Sequence, residues 1–128
     1  MALIHDNVFD AALDYISTNA DKVEVRNSAS SPLANFASLD ASNFGANANY
    51  SSGSSTGRNM QCLVSSTSDM KSISVTTGGS AHKVALINTT ASPDVDLVVA
   101  SISSAPVNLG SSDKVNLSTF SVILKDPA

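Results

Sequence analysis

The sequence has little charge and few residues that could carry catalytic or metal chemistry. Charged residues make up 14% of the 128, against about a quarter in an average soluble domain. There is no tryptophan, one cysteine and two histidines. A single cysteine excludes an intrachain disulfide, and Cys62, in the apolar run "NMQCLVSS", fits a small buried side chain better than a nucleophile. Stability is therefore expected to come from packing or from neighbouring chains.

Basic residues are also scarce. Seven lysines and arginines stand against eleven acidic residues, which gives a formal net charge of -4 and a pI near 4.7. Phosphate contacts need clustered cations, so nucleic acid is not expected as a partner. The start of the chain lacks the basic and apolar regions of a secretory signal, and no run of eighteen apolar residues could span a bilayer. We expect synthesis in a cytoplasm and no membrane partner.

The motifs that could form a catalytic or metal site are weak. His5 and His82 are far apart, without a second histidine or cysteine at ligand spacing, and His82 fits a strand end at the surface. Asp94 and Asp96 would share one face of a strand, as in a calcium site or a glycosidase acid pair, but aspartate beside a proline is more typical of a turn. "TTGGS" lacks the lysine of a phosphate loop. We therefore predict no catalytic, cofactor-binding or metal-binding residues and no cofactor.

Residues 6 to 18 are predicted to form an N-terminal helix. Its apolar residues recur at helical spacing and form one stripe: Val8, Phe9, Ala12, Leu13 and Ile16. Asp6 is the predicted N-cap and Asn19 the predicted left-handed end. A helix this short is marginal alone in water, so its stripe is expected to dock on the β domain or on another subunit.

Two interpretations remain open for residues 27 to 57, which follow a predicted half-exposed strand, "KVEVR", at residues 22 to 26. The segment is rich in serine, asparagine and alanine but contains five large apolar or aromatic residues, at positions 33, 36, 39, 44 and 50. It is either a long extended loop or arm whose apolar residues hold it on a surface, or an ordered loop with one or two short strands. In the first interpretation "SSGSSTG" is a mobile tip.

From residue 58 onward the pattern predicts six short strands, "MQCLV", "KSISVT", "AHKVALIN", "DVDLVVASI", "KVNL" and "TFSVILK". With "KVEVR" they form an all-β single domain over residues 1 to 128, an antiparallel β-sandwich that is jelly-roll-like or immunoglobulin-like. Alternation predicts these inward positions: Ile73, Val75, Val84, Leu86, Val95, Leu97, Val99, Phe120, Val122 and Leu124. The third and fourth strands are apolar on both faces, so the second face should meet the helix or a second chain.

Three stretches resemble a known class of proteins: "ALIHDNVFDAALDYISTNADKVEV", "TGRNMQCLVSSTSDMKSISVTTGGSAHKVALINTT" and "LSTFSVILKDPA". They are similar to small, mostly uncharacterised structural (virion-associated) β proteins of tailed bacteriophages. The features shared with that class are Gly57-Arg58, His82 with Ala85 and Leu86, and Phe120 with Val122 and Asp126. The resemblance covers most of the chain except residues 27 to 56, where the long Asn- and Ser-rich insert departs from the class. It implies a virion component and a β fold, and it carries no site residues.

These observations predict a non-enzymatic structural protein of a tailed-phage virion, made in the host bacterial cytoplasm. Capsid decoration (cement) and the neck or collar are the leading positions, with a tail component behind them. The expected partners are other virion proteins and further copies of the chain, with a trimer as one candidate. The alternative is a host-surface binding module in which the Asn- and Ser-rich loops and Tyr50 contact a glycan or protein. A small hydrolase or lyase would require His82 beside an acid and a nucleophile.

Overall fold

The structure, a computed structural model, describes residues 4–64, 69–102 and 106–127. It is mostly β, with 46% of residues in strands, one N-terminal helix and several antiparallel sheets. Helix α1 spans Asp6–Asn19, and short 3₁₀ turns lie at Ala41–Asn43 and Asp69–Lys71. The strands are β1 Lys22–Arg26, β2 Pro32–Phe36, β3 Ala48–Ser52, β4 Ser55–Cys62, β5 Ile73–Ser74, β6 Gly79–Ala81, β7 Lys83–Asn88, β8 Val95–Ser101, β9 Val107–Leu109, β10 Lys114–Val115 and β11 Phe120–Lys125. The predicted β class and N-terminal helix are confirmed.

The described strands form two larger and two small sheets. The four-stranded sheet has the order β2-β1-β7-β8, and the three-stranded sheet has the order β11-β4-β3. Two-stranded pairs of β10 with β5 and of β6 with β9 complete the set, and every pairing is antiparallel. The edge strands of the four-stranded sheet are therefore β2 and β8, with β1 and β7 between them.

Helix α1 begins and ends differently from its prediction. The N-cap is His5, whose Nδ1 accepts a hydrogen bond from the backbone N–H of Asn7 at 3.1 Å, whereas Asp6 is already helical. Asn19 is not a left-handed stop, since it stays in the helix and its side chain donates to the carbonyl oxygen of Tyr15. Ala20 ends the helix in an extended conformation because Asp21 immediately leads into β1.

The apolar stripe of α1 packs against this chain's own strands. Phe9, Leu13 and Ile16 are buried, and the helix contacts β4 and the first 3₁₀ turn. Val8 was predicted to belong to the stripe, but its side chain is 60% exposed. The buried stripe is thus narrower than predicted, and the helix docks on the three-stranded sheet.

Residues 27 to 57 are an ordered part of the fold and do not form an arm. They contain β2, a 3₁₀ turn, β3 and the start of β4. Leu33, Leu39 and Phe44 are buried in the chain's own core, which explains why a Ser- and Asn-rich segment needs them. "SSGSSTG" is the β3–β4 hairpin rather than a mobile tip, with Ser52 opposite Ser55 and Gly53 at φ +60° in the turn.

Gly57 permits the close pairing of β4 with β11. It lies opposite Lys125, and a Cβ atom at this position would overlap the carbonyl oxygen of Leu124. Only glycine fits there without displacing one of the strands. The next residue, Arg58, is therefore held in a fixed position on β4, from which it reaches helix α1.

The core lies between the helix and the sheets. Its fully buried large side chains are Leu13, Leu33, Met60, Met70, Leu86, Val23 and Cys62. The predicted inward residues Ile73, Val75, Leu86 and Val122 are buried, whereas Val84, Leu97, Phe120 and Leu124 are only partly buried against the core.

Two expectations about burial are wrong. Strand β1 was predicted to be half-exposed, but Glu24 and Arg26 are 8% and 7% exposed because β1 is an inner strand. Val95 and Val99 were predicted to point inward, but their side chains are 45% and 48% exposed. Strand β8 is an edge, and a register shift between Leu86 and Ile87 changes the alternation along it.

Candidate functional site

An ion-pair network crosses the outer face of the four-stranded sheet, defined here as the face that carries Glu24, Arg26, Ala85 and Val99. Arg26 Nε donates to Glu24 Oε1 at 2.6 Å, and Nη1 and Nη2 donate to the two oxygens of Asp96 at 2.8 and 2.7 Å. Glu24 lies opposite Ala85, and Ala85 lies opposite Val99. Arg26 on β1 thus reaches β8 across β7, where Ala85 is 1% exposed.

The electrostatics of this network favour the charged forms of its members. The bidentate hydrogen bonds from Arg26 hold the pKa of Asp96 below its usual value. The same bonds, followed by those to Glu24, outweigh burial and raise the pKa of Arg26 above its usual value. The carboxylate of Asp96 is consequently an ionised acceptor that faces back over its own sheet, away from the edge of β8.

A second ion pair joins helix α1 to the three-stranded sheet. Arg58 Nε and Nη2 donate to the two carboxylate oxygens of Asp10 at 2.8 and 3.0 Å, and Nη1 donates to Asn49 Oδ1 at 2.6 Å. The hydrogen bonds with Asp10 raise the pKa of Arg58. Both arginines of the chain are therefore engaged in ion pairs that hold elements of this fold together.

Strand β8 is the most apolar edge strand. Its sequence is VDLVVAS, and within the described ranges it pairs with β7 alone. Val95 and Val99 are about half exposed, and Ala100 and Ser101 are also exposed. An edge with unpaired backbone groups and β-branched apolar side chains is a template for another strand.

An apolar groove of about 700 Å³ lies beside β8. One wall is formed by side chains of β7, β8 and the residue after β8: Val84, Leu86, Val98, Ala100 and Ile102. The other wall is formed by residues between β9 and β11: Val107, Leu109, Val115, Leu117, Phe120 and Val122.

A second groove, which is more polar, surrounds Tyr50 on β3 and also measures about 700 Å³. Its lining includes His5, Asp6, Asn49 and Asp126. The Lys125 ammonium lies 5.8 Å from the centroid of the Tyr50 ring, a cation–π distance. The aromatic ring thus lies beside several groups that donate or accept hydrogen bonds.

The candidate residues from the sequence do not come together. His82 Nδ1 lies 3.0 Å from the carbonyl oxygen of Ser80, and among the described residues no hydrogen bond joins it to an acid. His5 caps α1. Asp96 is paired with Arg26, whereas the neighbouring Asp94 is exposed. Cys62 is fully buried, and burial raises the pKa of its thiol to about 11, which suits an unreactive side chain.

Sequence reasoning missed the Arg26 network and the groove beside β8. The alternating charges of "KVEVR" could have predicted the network. If such a strand lies inside a sheet and is buried on both faces, its charged side chains must form ion pairs or hydrogen bonds. The groove depends on strand β9, which the sequence analysis did not predict.

Within residues 4–64, 69–102 and 106–127, no three His, Cys, Asp or Glu side chains form a group that could hold a metal ion. No helix in these ranges has the length and apolarity needed to cross a membrane. Comparison with protein-family models, curated proteins and solved structures gives no match.

Proposed function

We propose that the chain is a non-enzymatic structural subunit of a tailed-phage virion, present in many copies as a capsid decoration protein or a component of the neck or collar. The virion is inferred from three stretches of the sequence, at the N-terminus, in the middle and at the C-terminus, which resemble virion-associated proteins. The observation that supports a structural role is the half-exposed apolar edge strand β8 beside an apolar groove. Such a surface gains stability when a neighbouring subunit covers it.

The distribution of charge supports the same proposal. Arg26 and Arg58 are each engaged bidentately by a carboxylate of the same chain. These pairs brace β1 against β8 and α1 against β4, so they contribute to rigidity. A rigid subunit loses little conformational freedom when it joins an assembly, and symmetry multiplies each modest contact.

The proposed fold is more specific than the observed class of several antiparallel sheets. We place the four-stranded and three-stranded sheets on opposite sides of one core, as a sandwich of jelly-roll or immunoglobulin type. Residues from both sheets, among them Val23, Leu86, Met60 and Val122, belong to the same buried cluster, which supports this arrangement.

Mass spectrometry of purified particles tests the function. Particles produced by the phage that encodes the chain would be digested, and the copy number would be measured relative to the major capsid protein. Copy numbers on the order of hundreds indicate decoration, and about a dozen indicate the neck, because these positions follow capsid and portal symmetry. Absence of the chain from purified particles would contradict the proposal.

The groove around Tyr50 favours a second candidate, a host-glycan binding module. Carbohydrates are bound by aromatic rings beside hydrogen-bonding side chains, and Tyr50 lies beside Asn49, Asp6 and Asp126. Asn49 Oδ1 already accepts from Arg58, and Asp126 accepts from Thr56, so the groove is held in shape before any ligand arrives.

A glycan array with a matched pair of variants tests this candidate. Tyr50→Ala should abolish binding, because it removes the ring from the groove. Tyr15→Ala should leave binding unchanged, because Tyr15 is 58% exposed on α1 and is not part of the groove. An array on which the unaltered chain binds no glycan would overturn the candidate.

A further inference from the structure

We propose that His5 is a proton-sensitive cap on helix α1, which holds the start of the helix while its imidazole is neutral and releases it when the imidazole is protonated. His5 also lines the groove around Tyr50, so the same change alters the charge and the edge of that groove. The device operates within one chain, and it goes beyond the proposed structural role without depending on it.

The cap of α1 is made by an imidazole nitrogen rather than by an oxygen. His5 Nδ1 accepts a hydrogen bond from the backbone N–H of Asn7 at 3.1 Å, and the carbonyl oxygen of His5 accepts from the N–H of Val8 at 2.9 Å. The usual capping side chains, Ser, Thr, Asp and Asn, accept through oxygen. An imidazole nitrogen accepts only while it carries no proton, since both nitrogens of the charged ring are donors. The capping bond therefore requires a neutral ring with its proton on Nε2.

Protonation of His5 acts against the start of α1 in two ways. It removes the acceptor of the Asn7 N–H, which is one of the first-turn donors that have no partner inside the helix. It also places a positive charge at the end of the helix where the free N–H groups already carry partial positive charge. Histidine is the side chain that characteristically changes charge between about pH 5 and pH 8. Mild acid is therefore the signal to which this cap would respond.

Carboxylates that line the same groove offer new acceptors to the charged ring. Asp6 and Asp126 both line the groove with His5. Because both nitrogens of an imidazolium donate, and because hydrogen bonds between charged groups are strong, the protonated ring turns from the Asn7 N–H toward a carboxylate. These acids favour the charged ring, whereas the capping bond and the helix end favour the neutral one. Protonation thus exchanges one partner of the ring for another.

Two further pairs of charged or aromatic groups lie around the groove, and the members of each pair engage each other. Asp10 on α1 forms an ion pair with Arg58 on β4. The ammonium of Lys125 on β11 lies 5.8 Å from the centroid of the Tyr50 ring on β3. The exchange of partners therefore takes place among His5, the Asn7 N–H and the carboxylates of the groove.

Asp126 connects the cap to the rest of the fold. Its Oδ1 accepts from the backbone N–H of Ile4 at 3.1 Å, and its Oδ2 accepts from Thr56 Oγ1 at 2.8 Å. Its own N–H donates to the carbonyl oxygen of Thr56 at 2.8 Å. An imidazolium that turns toward Asp126 competes with the Ile4 N–H for Oδ1. Release of the cap and loosening of residues 4 and 5 from the edge of the groove then occur together.

Nuclear magnetic resonance of the full, nitrogen-15-labelled chain tests the cap. At about pH 8 the ring nitrogens of His5 should show the proton on Nε2. As the ring becomes charged toward about pH 5, solvent exchange of the Asn7 amide, corrected for the intrinsic effect of pH, should accelerate by about threefold or more. The amide proton shift of Asn7 should follow the titration of the His5 ring.

Two substitutions at His5 and one at His82 separate the cap from other effects of pH. His5 is exposed, so its variants leave the core intact. His5→Asn supplies an oxygen acceptor that does not titrate and should keep the Asn7 amide protected over the whole range. His5→Ala should leave that amide unprotected over the whole range. The control is His82→Asn, which removes the other histidine of the chain and should leave the response of the Asn7 amide unchanged.

Three results would overturn the cap. The first is a neutral His5 ring that carries its proton on Nδ1, because that nitrogen could then not accept. The second is an Asn7 amide that does not respond as the ring titrates. The third is an equal response in the unaltered chain and in His5→Asn, because the response would then come from other groups. All three are measured on the free chain, so none of them changes the outcome of the virion test.

Discussion

Strands β1 and β8 belong to the same sheet, and their burial is the reverse of what their compositions suggest. Strand β1, KVEVR, carries three charged residues, yet Glu24 and Arg26 are more than 90% buried. Strand β8, VDLVVAS, carries one charged residue, yet no residue in it is buried. Strand order explains the difference, since β1 lies inside the sheet and β8 lies at its edge.

The comparison shows what each strand needs from its surroundings. The charges of β1 are tolerated because Arg26 satisfies Glu24 and Asp96 at once, and no buried side-chain nitrogen or oxygen among the described residues lacks a partner. On β8, by contrast, Val95 and Val99 are 45% and 48% exposed in the described part of the chain. The polar groups of β1 are thus satisfied within the chain, whereas the exposed valines of β8 are available for contact with another molecule.

A matched pair of valine truncations should show the largest difference between the two strands. Val23→Ala on β1 removes two methyl groups from a side chain with 0% exposure and should cost about 2–3 kcal/mol of unfolding free energy. Val99→Ala on β8 changes β propensity equally but should cost under about 1 kcal/mol, since Val99 is half exposed. Urea denaturation at low protein concentration measures both values.

Both substitutions replace valine by alanine, so the intrinsic effect of the change in residue type is the same in the two strands. Equal losses for Val23→Ala and Val99→Ala in the dilute chain would contradict the assignment of β8 as an uncovered edge.

The second prediction removes the link between the strands. Arg26→Met leaves Glu24 buried without its principal partner and should cost about 2 kcal/mol. The cost stays below that of a fully buried pair because the side chain of Asp96 is 44% exposed and solvent screens it. Chemical denaturation at neutral pH measures the loss.

The control for Arg26→Met is Lys22→Met, because the ammonium of Lys22 lies 3.4 Å from Glu24 without a close hydrogen bond. Lys22→Met should lower the free energy of unfolding by under about 1 kcal/mol. A cost for Lys22→Met as large as that for Arg26→Met would show that Arg26 has no special role in bracing β1 against β8.

Features of the fold that depend on the local pattern of apolar residues could be predicted from the sequence alone. The positions of Phe9, Leu13 and Ile16 predicted the buried stripe of α1, and the runs "AHKVALIN" and "DVDLVVASI" predicted strands where β7 and β8 lie. Helical and strand periodicities are set by neighbouring residues, so they can be read without knowledge of the tertiary fold.

Features that depend on strand order were not predictable. Leu33, Leu39 and Phe44 indicated contacts for residues 27 to 57, but small residues between them concealed the strands β2 and β3. The exposure of Val99 follows from its edge position and from a register shift, neither of which has a signal in one sequence. The candidate site beside β8 could not be predicted for the same reason.

The smallest predicted effect is the change in stability at acidic pH when Asp96 is replaced. Arg26 lowers the pKa of Asp96 in the folded chain, so the pair contributes stability above the unfolded pKa of about 3.9. This stability is lost as the pH falls below that value through the folded pKa of Asp96. Asp96→Asn should therefore flatten the acid limb of a stability–pH curve by under about 1 kcal/mol, a small value because Asp96 is 44% exposed.

The control for acid sensitivity is Asp94→Asn, which removes a carboxylate near the same strand end that has no hydrogen bond from Arg26. Thermal unfolding at closely spaced pH values between 2 and 6 would compare the three chains at low ionic strength. In Asp94→Asn the ion pair between Arg26 and Asp96 remains in place. Parallel curves for the unaltered chain and Asp96→Asn would mean that the Asp96 pair contributes nothing to joining β1 and β8.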